Sequence, residues 1–284
     1  MRKTFIAIFI TLMIIFSYKS IAIEPYIFEK KYSSAETTNW AVIITVGEPD
    51  RDSKSAQDLY DILKNNGWDE DKIRYLKESE ATKDAILNIS DWLNGQGMQD
   101  DDLVIFYFSM HGIRRKDTEP FDEPDGLDEL IVPFKSENQD ENIVDDELAL
   151  MFDEIQNDNL VIIFETCYSG GMIDGDCDLK KSGRIIITSA KEDETSYPIF
   201  LKRNWLFPHF FILGLRGKAD KNHDGHITAE ESYRYAELRT KLRSTIYGIL
   251  LFIFHKALFN QHPQIYDGWP TNENNNEELK LISL

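Results

Sequence analysis

The run Leu160–Phe164 is apolar at every position and rich in β-branched side chains. It has no polar face to turn toward water, so it suits a strand covered on both sides, as in a parallel sheet under helices. It ends abruptly in Glu165-Thr166-Cys167-Tyr168, and Ser169, Gly170 and Gly171 follow. A second run, Leu103–Phe108, has the same character and ends in Ser109-Met110-His111-Gly112. Open α/β sheets keep their sites at the carboxyl ends of their strands. Two core strands that finish in a histidine and a cysteine therefore offer a proton carrier beside a nucleophile. Histidine first and cysteine some tens of residues later is a known order for cysteine catalysis. The remaining histidines, His209, His223, His226, His255 and His262, all follow the cysteine.

The flanking segments predict the rest of an α/β domain. Trp40–Val46 reads as the first strand and Ile73–Leu76 as the second. Ser53 is placed to cap a helix whose Ala56, Leu59, Tyr60 and Leu63 share one face. Thr82 is placed to cap another, with Ala85, Ile86, Ile89, Trp92 and Leu93 turned inward. The acidic stretch Arg114–Asp128 reads as a loop, Leu130–Val132 as a short strand and Asp145–Ile155 as a helix. Arg184–Ser189 is a further strand and Phe207–Leu215 an apolar helix. Strands alternating with amphipathic helices predict a mostly parallel sheet with helices on both faces.

Charge and cysteine content narrow the partners. The chain of 284 residues carries a formal net charge of −19. That argues against binding nucleic acid or an anionic membrane through a basic face. Met1–Ala22 has a basic start at Arg2 and Lys3, an apolar run Thr4–Phe16 and small residues before position 23. This is the pattern of a secretory signal, and predicts a secreted or extracytoplasmic protein. Membrane contact is expected only if that segment stays uncleaved as an anchor. Ile246–Phe254 is apolar but too short to span a bilayer, and suits core or partner contact. The two cysteines, Cys167 and Cys177, could pair in an oxidising compartment. Cys177 lies in the polar loop Asp174–Asp178, which argues against a structural disulfide and leaves a transient, inhibitory pairing open.

Asp220–Glu231 reads Asp-Lys-Asn-His-Asp-Gly-His-Ile-Thr-Ala-Glu-Glu. The spacing is that of an EF-hand loop. Asp220, Asn222 and Asp224 supply oxygens, His226 a backbone carbonyl, Thr228 the water-linked position and Glu231 the bidentate carboxylate. The turn glycine is Gly225. The all-oxygen donor set favours Ca2+ over magnesium.

Tyr107–Gly112 and Phe164–Gly171 together resemble the caspase-like superfamily of cysteine peptidases. Legumain is the nearest family by three features: Glu165 two before the cysteine, the Trp40–Ile44 strand, and Ile185–Tyr197 with its Thr188-Ser189-Ala190 and Glu194-Thr195-Ser196-Tyr197. Asp122–Glu129 followed by Asp145–Leu148 looks more like metacaspases. The resemblance covers about residues 39–196. It implies a three-layer α/β/α sandwich and peptide-bond hydrolysis by Cys167 and His111, with the backbone N–H groups of Gly112 and Cys167 facing the oxyanion. It further implies that Asp58, Ser109, Glu165 and Ser196 line the pocket for the side chain before the cut bond. Two acids there favour Lys or Arg. Legumain's asparagine after the first strand has no counterpart in Gly47-Glu48-Pro49-Asp50, so no third catalytic residue is named.

The expected organisation is a signal at 1–22, a leader at 23–38, a peptidase domain at 39–216, a calcium loop and helix at 217–243, and a segment at 244–284 that packs back on the domain. The expected partner is a peptide or protein substrate. The same residues would serve a transpeptidase or ligase. A non-catalytic, calcium-dependent adhesion or assembly module is the alternative from a different class, and the intact Cys167 and His111 argue against it.

Overall fold

Val161, Ile163, Ile105 and Tyr107 face one side of a central sheet, while Ile162, Phe164, Phe106 and Phe108 face the other, and all are buried. A computed structural model describes residues 38–47, 52–118, 121, 123–174, 179–199, 204–255, 260–270 and 278–284. The signal and leader through residue 37, the turn residues Glu48–Arg51, and Cys177, with the question of its pairing, lie outside the described residues.

The main sheet contains β1 (Asn39–Thr45), β2 (Ile73–Lys77), β3 (Leu103–Ser109), β7 (Leu160–Glu165), β8 (Arg184–Thr188) and β10 (Gln264–Asp267). Between β3 and β7 the chain adds β4 (Gly112–Lys116), β5 (Leu127–Ile131) and the short β6 (Ile143–Val144) as a separate small sheet. The main-sheet order is β10-β8-β7-β3-β1-β2, and only β10 runs antiparallel. This is the expected α/β sandwich with a mostly parallel sheet.

One face is covered by α1 (Asp52–Asn65), α5 (Leu206–Leu213) and the start of α6 (Ala229–His255), through Leu59, Leu63, Phe207, Phe211 and Ala236. The other is covered by α2 (Lys83–Leu87), α3 (Ile89–Gly95) and α4 (Asp145–Asp153), through Ile86, Leu93, Leu148 and Phe152. At about 25 cal/mol per Å2 of apolar surface, these two layers supply the main drive to fold.

Several elements differ from the sequence reading. Thr82 does cap a helix, its hydroxyl accepting the Ala85 N–H at 3.2 Å. That helix breaks at Asn88, whose carboxamide donates to the Asp84 carbonyl at 2.6 Å. An asparagine side chain competing for a helical carbonyl is a known interruption. The start of the acidic stretch is β4, paired antiparallel with β5, and Arg115 bonds Asp128 across the pair at 2.9 Å. The apolar stretch Ile246–Phe254 continues α6. No helix among the described residues is long and apolar enough to cross a membrane. In the C-terminal segment β10 pairs with β8 of the main sheet, and β11 (Lys280–Ser283) pairs with β9 (His226–Thr228).

Candidate active site

β3 and β7 are parallel neighbours, and their register ends at Ser109 opposite Glu165. Met110 N–H extends the ladder to the Glu165 carbonyl at 3.3 Å. His111 and Cys167 each lie two residues beyond that final pair, so both emerge at the same rim. A β-carbon on Gly112 would overlap the Cys167 carbonyl oxygen and lie 3.0 Å from Thr166 Cβ. The strand ends are therefore in backbone contact, which requires glycine at position 112. His111 is exposed and Cys167 half-buried, so solvent reaches the pair from one side.

The two turns are held from outside. The His111 carbonyl accepts the Val132 N–H at 3.0 Å, which ties it to the end of β5. Ser189, just past β8, donates its N–H to the Phe164 carbonyl at 3.0 Å and its hydroxyl to the Thr166 carbonyl at 3.1 Å. Tyr168 has a left-handed backbone, φ 60°, and donates its N–H to the Glu194 carbonyl at 2.8 Å. A non-glycine residue in that region carries strain and marks a sharply aimed turn. The Arg114 guanidinium lies 4.4 Å from the centre of the Tyr168 ring.

The four expected pocket residues have distinct surroundings. Ser109 and Glu165 are buried side by side at the ends of β3 and β7. Ser196 is buried on the loop after β8, its hydroxyl 2.7 Å from that of Ser189. Asp58, on α1, pairs with Lys54 at 2.5 Å and with Arg216 at 3.1 Å. Its charge is met by two cations of the chain itself.

The expected calcium loop forms a tight turn before α6. Gly225 has φ 79° and donates its N–H to Asp220 at 3.3 Å, while His226 N–H reaches Asp224 at 2.9 Å. Asn222 and Asp224 bond each other at 2.8 Å, and Glu231 accepts the Thr228 N–H at 3.2 Å. Glu278, outside the twelve-residue motif, accepts the Thr228 hydroxyl at 2.8 Å. Burial raises the Glu231 carboxyl above its usual value, against the Thr228 N–H bond, and Glu278 and Asp224 add to the rise. An ion between these oxygens would remove that repulsion.

A second acidic cluster was not assigned from the sequence. Carboxylate oxygens of Glu123, Glu129 and Asp145 lie within 4.8 Å of one another. Glu129 is 1% exposed, and among the described residues neither of its carboxylate oxygens has a hydrogen-bond donor. A β-carbon on Gly171 would overlap this carboxylate, so it packs directly on the turn that follows Cys167. Burial, with Asp145 and Asp174 nearby, pushes the Glu129 carboxyl up to about 9. Burial likewise raises Asp145. A buried acid without a donor is costly unless protonated or matched by a cation, and these oxygens suit a hard divalent ion. The available signal was the run of acids on either side of an apolar strand, from Asp122 to Glu129 and at Asp145.

The family described as metacaspase, peptidase C14 domain matches residues 57–176. Metacaspase-1A of Neurospora crassa is 37% identical over 99 residues, which cover 34% of this chain and 21% of that protein. Metacaspase-1 of Botryotinia fuckeliana is 39% identical over 98 residues, 34% of this chain and 23% of that one. Metacaspase-1 of Saccharomyces cerevisiae is 30% identical over 128 residues, 42% of this chain and 29% of that one. The aligned part thus spans under a third of the length of each of these relatives. The crystal structure of a Geobacter sulfurreducens protein shares the fold, with a TM-score of 0.54 at 15% identity over 81% of this chain and 92% of that one. The match over residues 57–176 contains both rim motifs, and it supports placing the chain in the caspase-like superfamily of cysteine peptidases, with metacaspases as the relatives it resembles.

Proposed function

We propose that the protein is a cysteine endopeptidase in which Cys167 is the nucleophile and His111 the acid and base. The observation that carries this is the β3/β7 register, which ends both strands at one rim with Gly112 against the Cys167 carbonyl. The Cys167 thiolate attacks the peptide carbonyl carbon, and the carbonyl oxygen becomes an oxyanion facing the N–H groups of Cys167 and Gly112. The C–N bond breaks as the His111 imidazolium gives its proton to the leaving amine. Neutral His111 then takes a proton from water, whose oxygen attacks the thioester. The thiolate leaves and the acid product departs.

Glu165 and Asp58, with Ser109 and Ser196, form the P1 pocket in this reading and favour Lys or Arg there. Calcium is the proposed ion, held by Asp220, Asn222, Asp224, the His226 carbonyl, Thr228 and Glu231. The buried Glu129 carboxylate favours a second site, with Glu123 and Asp145. A bound ion would neutralise these carboxylates and fix the loops that carry them. Export through the Met1–Ala22 segment belongs to the same reading. N-terminal sequencing of the protein from its own cell would test cleavage of that segment, and an intact Met1 would remove the cleaved, secreted form.

The deciding experiment is cleavage of fluorogenic peptides with Arg, Lys, Asn and Asp at P1, with and without calcium. Cleavage after Arg or Lys that is lost in Cys167→Ala supports the reading. No cleavage anywhere in the panel defeats it.

A further inference from the structure

Gln261 is fully buried, at 0% exposed, in a turn-rich segment to which the reaction above assigns no role. It leads into β10 at the edge of the main sheet. Its carboxamide donates to the Ser189 carbonyl at 2.9 Å and to the Ser196 hydroxyl at 3.3 Å, and accepts the Tyr197 N–H at 3.1 Å. Its own N–H donates to the Ser244 hydroxyl of α6 at 3.1 Å. One side chain thus bonds the end of β8 and two successive residues of the loop after it.

The neighbouring residue engages the same loop. His262 N–H donates to Glu194 at 2.6 Å, and its ring nitrogen Nδ1 lies 2.5 Å from the other carboxylate oxygen. Glu194 is the residue whose carbonyl receives the Tyr168 N–H beside Cys167. Tyr197 also belongs to this neighbourhood. Burial raises its phenol, a Thr195 hydrogen bond opposes that, and the charges of Glu194, Cys167 and Tyr168 add to the rise.

We propose that Gln261 is a positioning residue for the site, fixing Ser196 and Tyr197 beside the cysteine turn while His262 holds Glu194 against Tyr168. The role rests on the peptidase reading above and names a residue that this reading does not use. A glutamine suits it because it offers a donor pair and an acceptor on one planar group. An apolar residue of the same length would take the glutamine's bonds away from the buried Ser189 carbonyl and the half-buried Tyr197 N–H. Those groups would then seek other partners and shift the loop.

The test compares Gln261→Met, which keeps the length, with Gln261→Glu, which keeps the acceptor. Both are measured for kcat and KM on the P1 panel and for the rate of Cys167 alkylation by iodoacetamide across pH. Gln261→Met is expected to lose about tenfold to a hundredfold in kcat/KM, the range a small misplacement of reacting groups costs. Its alkylation profile is expected to change, and Gln261→Glu to recover part of both. A folded Gln261→Met with wild-type kcat, KM and alkylation overturns the proposal. If the wild type cleaves nothing, the peptidase reading fails, and the alkylation comparison alone decides whether Gln261 sets the thiol's surroundings. If Gln261→Met does not fold, Ser244→Ala serves, since it removes the hydroxyl that bonds the Gln261 backbone and otherwise bonds only the Lys241 carbonyl of its own helix among the described residues. A smaller shift of alkylation in the same direction supports the role, and no shift overturns it.

Discussion

The carbonyl oxygen of Cys167 occupies the space that a β-carbon on Gly112 would take. The residue after the histidine and the cysteine itself thus touch through their backbones. The spacing of the two rim turns is set by main chain, with Ser189 and Val132 bracing it from either side.

Gly112→Ala must push these turns apart. Overpacking of this kind costs roughly 1–3 kcal/mol, so the variant is expected to fold with a lowered melting temperature. Peptide cleavage is expected to fall by about a hundredfold, because the oxyanion donors separate. Melting and steady-state kinetics on one preparation check this, and a variant with wild-type turnover contradicts it.

Arg216 bonds the Asp58 carboxylate from a partly exposed position. If Asp58 helps to receive a basic P1 side chain, Arg216 competes with the substrate. With Arg216 exposed to solvent the pair is worth about 1 kcal/mol, so Arg216→Ala is expected to lower KM for Arg peptides by about two- to fivefold. KM for Asn peptides should stay unchanged. Equal effects on both would show that Asp58 does not touch the P1 group.

Glu129 holds its proton up to about 9 in the fold, against an ordinary value of 4.5. Between those values the folded chain keeps a proton that the unfolded chain has released. The stabilising effect is therefore fully present below 4.5 and is lost as pH rises toward 9. In chelator, the melting temperature is expected to fall over that interval, and Glu129→Gln to flatten the fall. A melting curve in which Glu129→Gln leaves the slope unchanged contradicts the burial argument.

Glu231 closes the loop that begins at Asp220. Calorimetry is expected to show calcium binding in the wild type and a loss of at least about tenfold in affinity in Glu231→Gln, since the bidentate ligand sets the site's strength. Residual binding in that variant that disappears in Glu129→Gln would assign it to the second cluster. Binding unaffected by either change removes both sites.

Fold class and the candidate dyad were legible in the sequence because their signals are local. Leu103–Phe108 and Leu160–Phe164 are apolar throughout, which demands burial on both faces, and each motif follows its strand directly. Parallel pairing then carries both motifs to one rim without further information. Thr82 and the inward faces of α1 and α4 were readable for the same reason, since capping and helical periodicity act within a few residues.

What only the tertiary structure decided is which distant side chains meet. Arg216 reaches Asp58 across 158 positions, and Gln261 reaches the Ser189 carbonyl across 72. Glu123 reads as part of an acidic loop and Asp145 as the start of a helix, and it is the small sheet of β4, β5 and β6 that sets Glu129 in the interior behind Gly171. A carboxylate's chemistry depends on whether water or protein surrounds it. No spacing along the chain records that, because burial is the product of packing among elements far apart in sequence.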